Sequence, residues 1–198
     1  MTKGITLLLA ALCCTALLSG CTASPAPAAP VEQSDAAESE EQAAAQPMSV
    51  ESAGVTGGVL ADVYGAKGVD FVSGYIPARS LPLTIKDIPA GTVALAVRMS
   101  DPDASDWVHW LAANLPAGDV ADNASRAGGD GVAQGVNSFG TIGYGGPTPP
   151  SGTHAYVVTV YALSEALPLQ DGFSDAEFTA ALEGRVLAQA QLTAQYSK

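Results

Sequence analysis

Residues 142–163 read Ile142-Gly-Tyr-Gly-Gly-Pro-Thr-Pro-Pro-Ser-Gly-Thr-His-Ala-Tyr-Val-Val-Thr-Val-Tyr-Ala-Leu163. The first half is dense in glycine and proline, which break helices and sheet ladders alike, so it is a loop. From His154 onward, β-branched and aromatic residues run without interruption, which predicts a strand to Leu163. Tyr156, Val158 and Val160 fall on one face of that strand, with Val157 and Tyr161 on the other. A strand that is apolar on both faces is central to its sheet, so the stretch predicts a mainly β domain.

The flanking sequence agrees. In Thr92–Met99, Val93, Leu95, Val97 and Met99 alternate with smaller residues, a second strand. Val108–Asn114 reads as a third. Asp119–Gly131 is polar and glycine-rich and reads as a surface loop. Ser174–Glu183 is the one clear helix. Ser174 caps it, Glu177 completes a capping box, Phe178, Ala181 and Leu182 share a face, and Gly184 suits the C′ position. Val186–Tyr196 contains good helix formers, which leaves a helix open. Its strict alternation of Val186, Ala188, Ala190, Leu192, Ala194 and Tyr196 with polar residues favours a strand. The 21 glycines and 13 prolines also favour a turn-rich β architecture over a bundle.

The N-terminus has a different character. Lys3 precedes an apolar run from Ile5 to Leu18, too short for a membrane span and of signal-peptide form. It ends in Leu18-Ser-Gly-Cys21, which resembles the bacterial lipobox, with Cys21 as the lipid-modified first residue of the mature chain. Residues 1–20 are therefore expected to be a lipoprotein signal peptide. Residues 21–48 are expected to be a lipidated, disordered tether rich in Ala, Pro and Glu, and 49–198 the folded domain. Export and anchoring to the cell membrane follow, with the domain outside the cytoplasm. Cys13, Cys14 and Cys21 all lie in this segment, so none remains for a disulfide in the domain. The net charge is −12. Loss of the leader with Lys3 takes it to about −13, which argues against nucleic acid as a partner.

Two clusters carry candidate chemistry. One is Asp101-Pro-Asp-Ala104 followed by Trp107-Val-His-Trp110. The other is Gln134-Gly-Val-Asn-Ser-Phe-Gly140 followed by the 142–156 stretch. The only two histidines, His109 and His154, each sit beside an aromatic residue at the start of an apolar strand, and Asp101 directly follows another. Residues at one end of adjacent strands can converge on a cleft. Taken singly, each feature has a plainer reading. The loop is a tight turn, a strand histidine is a hydrogen-bonded structural residue, Asp101 and Asp103 cap a turn, and Trp107, Trp110 and Tyr161 are core. The joint pattern is what points to a pocket.

These clusters resemble the signatures of the phosphatidylethanolamine-binding protein family, in its bacterial Raf-kinase-inhibitor-like branch. That branch pairs D-P-D-A and V-H-W with I-G-Y-G-G-P-x-P-P-x-G-T-H-R-Y. The resemblance runs from about Ile76 to the C-terminus and includes Ser80-Leu-Pro-Leu83, similar to the family's S-P-P-L. It implies a β-sandwich of mixed strands with a few short helices. It also implies a small pocket for phosphate, phosphoethanolamine or a similar anion, lined by Asp101, His109, Gly146, Pro147, His154 and Tyr156. Imidazoles donate to an oxyanion, most strongly when protonated, and Asp101 would orient one of them. Gly145 and Gly146 would let the backbone approach a ligand, with Pro147 stiffening the wall.

The sequence departs from the pattern at Ala155, which stands where the family has arginine and so removes a cation from the cleft. Leu81 and Ser105 replace prolines. The expected function is a membrane-anchored binding module for a small anionic ligand or lipid headgroup, regulation of an envelope protein included, and without a cofactor. The alternatives are a protease or kinase inhibitor-like interaction protein, and a hydrolase using the Asp/His pair. Ser100, Ser138 and Ser151 are near in sequence, but none lies in a nucleophile motif, and the histidine spacing matches no standard metal motif. Catalysis is not expected. The oligomeric state is left open, a homodimer included.

Overall fold

A computed structural model describes residues 47–198. The leader, Cys21 and the tether up to residue 46 lie outside the described residues. Eleven strands follow in chain order: β1 (Ser49–Glu51), β2 (Val55–Thr56), β3 (Val59–Leu60), β4 (Phe71–Val72), β5 (Ile76–Pro77), β6 (Thr84–Lys86), β7 (Ala94–Asp101), β8 (Trp107–Leu115), β9 (Ala133–Gln134), β10 (Thr153–Leu163) and β11 (Val186–Ser197). Two helices, α1 (Ala124–Ala127) and α2 (Asp175–Leu182), are short.

Seven strands form one sheet in the order β2-β3-β11-β10-β7-β8-β9. Its pairings are antiparallel except for a parallel contact of β11 with β3 at Gln195 and Val59. β10 is central, as its two apolar faces require. It pairs with β11 from Thr153 to Leu163 and with β7 from Val157 to Leu163.

The alternation along β7 divides the core. Leu95, Val97 and Met99 join a large cluster with Val50 of β1 and Ile85 of β6, so the small β1-β6 sheet covers that face. Ala94 and Ala96 face the other way, toward a second cluster built on Phe173, Phe178 and Leu167. One face of the large sheet is thus sandwiched against strands and the other is covered by α2. The first core already includes Met48, the last residue of the expected tether.

Several local readings change. Val93 precedes its strand and is 60% exposed, although its N–H donates to the Leu163 carbonyl where the sheet begins. The 119–131 segment is not a plain loop. Val120 bridges to Leu83, and α1 follows. Val186–Ser197 is a strand throughout, since each residue from Ala188 finds a partner on β10.

The α2 capping box forms as the sequence predicts. Ser174 Oγ accepts from the Glu177 N–H, and the Glu177 carboxylate accepts from the Ser174 N–H. Gly184 takes φ +73°, a left-handed conformation that glycine adopts without strain. Arg98 on β7 forks onto Asp175 in the first turn, with N–O distances of 2.8 and 2.9 Å, and so ties α2 to the sheet. Ser174→Ala should lower stability by about 1 kcal/mol. The expected readout is a lower urea midpoint with an unchanged denaturant slope.

Candidate ligand cavity

The site is built where β7, β8 and β10 end together. Asp101 is the last residue of β7 and pairs with Trp107, the first of β8. On the other side of β7, Val157 pairs with Ser100, which sets Tyr156 beside Asp101. His154 lies two residues before Tyr156 on β10, so both share that face.

His109 reaches the same place by an irregularity. Met99 pairs with Trp110 but Ser100 pairs with Val108, so β8 carries one extra residue at His109. In an unbroken strand Val108 and Trp110 would share a face. Here Trp110 enters the first core and Val108 the second. A bulge of this kind re-aims side chains. It turns the His109 ring toward Tyr156, edge-on at 5.1 Å between centroids.

Asp101 is 3% exposed, and both its oxygens are occupied. Oδ1 accepts from the Ala104 N–H at 3.1 Å, capping the turn at 102–104. Oδ2 accepts from His154 Nδ1 at 2.7 Å. The capping role and the histidine-orienting role are therefore both real, each on its own oxygen. The neighbouring Asp103 carboxylate accepts from the Ala155 N–H at 2.8 Å, pinning the turn to β10 at the position where the family pattern has arginine.

His109 is 2% exposed, and its Nδ1 donates to the Gly145 carbonyl. That carbonyl can only accept, so a neutral ring carries its lone pair on Nε2. Burial pulls the His109 pKa below its usual value of 6.5. The Gly145 carbonyl and the Asp101 charge oppose that pull, and His154 adds to it. The Tyr156 hydroxyl is buried with no hydrogen-bond partner among the described residues. Burial and the adjacent Asp101 charge push its pKa well up.

These groups stand at a cavity of about 240 Å³. Asp101, His109 and Tyr156 line it, together with Ala104, Trp107, Phe139, Thr148, Pro149 and Pro150. His154 is behind Asp101 as its partner rather than on the lining. Gly146 and Pro147 are in the wall behind it. The Gly146 N–H donates to the Pro77 carbonyl, and the Pro147 carbonyl accepts from Ala66. A Cβ on Gly146 would meet the Tyr64 carbonyl oxygen at 2.2 Å, and one on Gly145 would meet Phe139 at 2.7 Å. The two glycines thus let the loop pack against the domain.

The residues that sequence reasoning left without a role form the outer wall. Trp107, expected in the core, is 39% exposed and meets Phe139 edge-on at 5.5 Å. Trp110 is in the core, with its indole N–H donating to Gln134, and Tyr161 packs on Phe178. Phe139 is held by Asn137, a buried residue that no single-residue signal marked. Asn137 Oδ1 accepts from the N–H groups of Phe139 and Thr141, and Nδ2 donates to the Gly143 carbonyl and Thr141 Oγ1. The candidate nucleophiles are engaged elsewhere. Ser138 Oγ accepts from the Val108 N–H, Ser100 Oγ accepts from Arg98, and Ser151 does not line the cavity.

The family profile described as phosphatidylethanolamine-binding protein matches residues 50–197. The chain belongs to this family. A UPF0098 protein of Methanothermobacter thermautotrophicus is 39% identical over 139 residues, covering 63% of this chain and 92% of its own. The YbcL crystal structure from Escherichia coli, described as a new member of the mammalian PEBP family, superposes with a TM-score of 0.67 at 31% identity. It covers 77% of this chain and 99% of YbcL. The PEBP homologue of Chlamydia trachomatis superposes at 0.66 with 28% identity, covering 77% and 98%. The curled sheet with few helices is therefore the PEBP fold, a fold of the binding type.

Within this PEBP domain, Asn137→Ala would strip several backbone groups of their partners at once. The expected cost is about 2–4 kcal/mol. Near-UV dichroism of the Trp107–Phe139 pair should weaken further than for a surface control of equal stability.

Proposed function

We propose that this chain is an exported, lipid-anchored binding module whose cavity holds a small anionic head group of the phosphate or phosphoethanolamine kind. The observation that carries the reading is the convergence of His109, the Asp101–His154 pair and Tyr156 on one small concavity. Its volume of about 240 Å³ suits a head group rather than a whole lipid. Trp107, Phe139 and the Pro149-Pro150 wall offer an apolar surface for whatever is attached to that head.

The chemistry makes binding proton-linked. With Nδ1 committed to Gly145, a neutral His109 presents an acceptor, which repels an oxyanion. A protonated His109 presents a second N–H donor with a full charge. Because burial lowers its proton affinity, the empty site is mostly neutral near pH 7, and anion binding must bring a proton in. Affinity for the anion therefore rises as pH falls below the ordinary histidine value.

In the empty domain the sign is reversed. The unfolded chain binds a proton at His109 more readily than the folded one, so stability is lost as pH falls through that range. The loss is at most about 1.4 kcal/mol per pH unit. Calorimetric titration with phosphoethanolamine from pH 8 to 5 should show tighter binding toward acid, by up to about tenfold per pH unit, with proton uptake that scales with buffer ionisation enthalpy. His109→Gln should flatten that profile. A pH-independent affinity, or none at any pH, would reject the reading.

The anchor is tested separately. The chain expressed with its own leader should fractionate with membranes and take up labelled palmitate, and Cys21→Ser should release it to the soluble fraction. Equal membrane retention of Cys21→Ser would sink the lipid-anchor proposal while leaving the cavity untouched.

A further inference from the structure

The turn that delivers Trp107 to the cavity is strained. It spans residues 102–106, between the end of β7 and the start of β8. Its last two residues, Ser105 and Asp106, take φ of +56° and +58°. Both are left-handed and neither is glycine, so the surroundings must hold them there. Trp107 follows directly. The torsions at Ser105 and Asp106 therefore set the direction in which its indole leaves the turn.

Three carboxylates hold this turn. Asp101 accepts from the Ala104 N–H, and Asp103 accepts from the Ala155 N–H on β10. Both act on the unstrained half. The strained half is held by Asp106, whose oxygens accept from Arg98 Nη2 at 2.7 Å and Nη1 at 3.3 Å. Arg98 projects from the α2 face of β7, opposite the side chain of Asp101, and does not line the cavity. All five N–H donors of its guanidinium are engaged: two with Asp106, two with Asp175 and one with Ser100 Oγ. The Arg98 side chain is 18% exposed and that of Asp106 58%.

We propose that Arg98 is a positioning residue for the cavity. Acting through Asp106, it keeps the Ser105-Asp106 turn in the shape that stands Trp107 against Phe139 as the outer wall. An ion pair with so exposed a partner adds little to global stability. Its effect is to select one conformation of a turn that relaxes when the pair is broken. A lysine ammonium is a single point charge on a flexible stem and could not fork onto two carboxylates. The consequence for affinity rests on the anion-binding reading above, whereas the consequence for Trp107 does not.

The test compares Asp106→Ala with Asp175→Ala in the full chain. Each removes one of the two carboxylates on Arg98, and only the first touches the turn. The two tryptophans give two indole N–H resonances. That of Trp110, buried and bonded to Gln134, is the internal control. Asp106→Ala should shift and broaden the Trp107 resonance, raise acrylamide quenching, leave Trp110 in place and barely change the unfolding midpoint. Phosphoethanolamine should then bind more weakly, by about threefold to thirtyfold. Arg98→Lys should move Trp107 in the same way. Asp175→Ala should lower the unfolding midpoint and leave Trp107 as in the wild type. An Asp106→Ala chain with unchanged Trp107 signals would overturn the proposal. So would equal displacement of Trp107 in both alanine variants, which is general loosening. If phosphoethanolamine binds no form of the chain, the anion-binding reading falls, and the indole signals still decide the role of Arg98.

Discussion

Strand β8 carries one residue more than its partner β7 needs between Met99 and Ser100. That residue is His109. Without it, Val108 and Trp110 would point the same way, and the largest side chain of the first core would compete with a valine that belongs to the second. With it, Trp110 fills the sandwich, Val108 turns toward α2, and the imidazole is presented where β7 and β10 end. The core and the cavity are consequences of the same backbone irregularity. The neighbouring loop is laced onto β8 across it: Gly135 to Leu111, Ser138 to Val108 and Gly145 to His109, all through backbone N–H groups. Slipping the strand by one residue would unpick these bonds together.

A buried carboxylate is the second constraint. Asp101, out of water at the strand end, is tolerable only because the Ala104 N–H and His154 Nδ1 both serve it. This division of labour explains why His154 does not line the cavity although its sequence context is that of a site residue. It is the partner that holds the Asp101 carboxylate in place. Tyr156 then lies between the two imidazoles, stacked with His154 at 6.5 Å and edge-on to His109. Its hydroxyl is buried without a hydrogen-bond partner among the described residues.

Much of this was legible from residue pattern. Period-two alternation located β7 and β11, the run of β-branched and aromatic residues located β10, and the serine–glutamate spacing located α2, because these signals are local. The bulge was not legible. Nothing in Trp107-Val-His-Trp110 distinguishes a regular strand from one with an extra residue, since the distinction exists only against β7. For the same reason Trp107 was assigned to the core: its exposure follows from pairing with Asp101 at the open end of the sheet. Gly145 and Gly146 were singled out for a ligand's approach, and the structure adds a packing requirement. Their missing side chains make room for Phe139 and the Tyr64 carbonyl, contacts from 6 and 82 residues away that no spacing rule could supply. Asn137 was visible as a residue of the motif, but its side-chain bonds all close within the loop and depend on the loop's folded shape.

The arginine missing at Ala155 shifts weight onto the protons. A guanidinium would offset Asp101 at every pH, since it does not titrate. Here the turn beside Ala155 brings a second carboxylate, Asp103, whose oxygen accepts from the Ala155 N–H. At the proposed site Asp101 would repel an oxyanion, by ~3 kcal/mol for two unit charges about 5 Å apart at an effective dielectric of about 20. A neutral imidazole cannot cancel this, whereas one proton on His109 can. Under the proposed function, the absence of arginine makes occupancy of the anion site conditional on a proton, at a group whose burial lowers its proton affinity. Restoring the cation by Ala155→Arg should remove most of that condition, raising affinity near pH 8 far more than at pH 5.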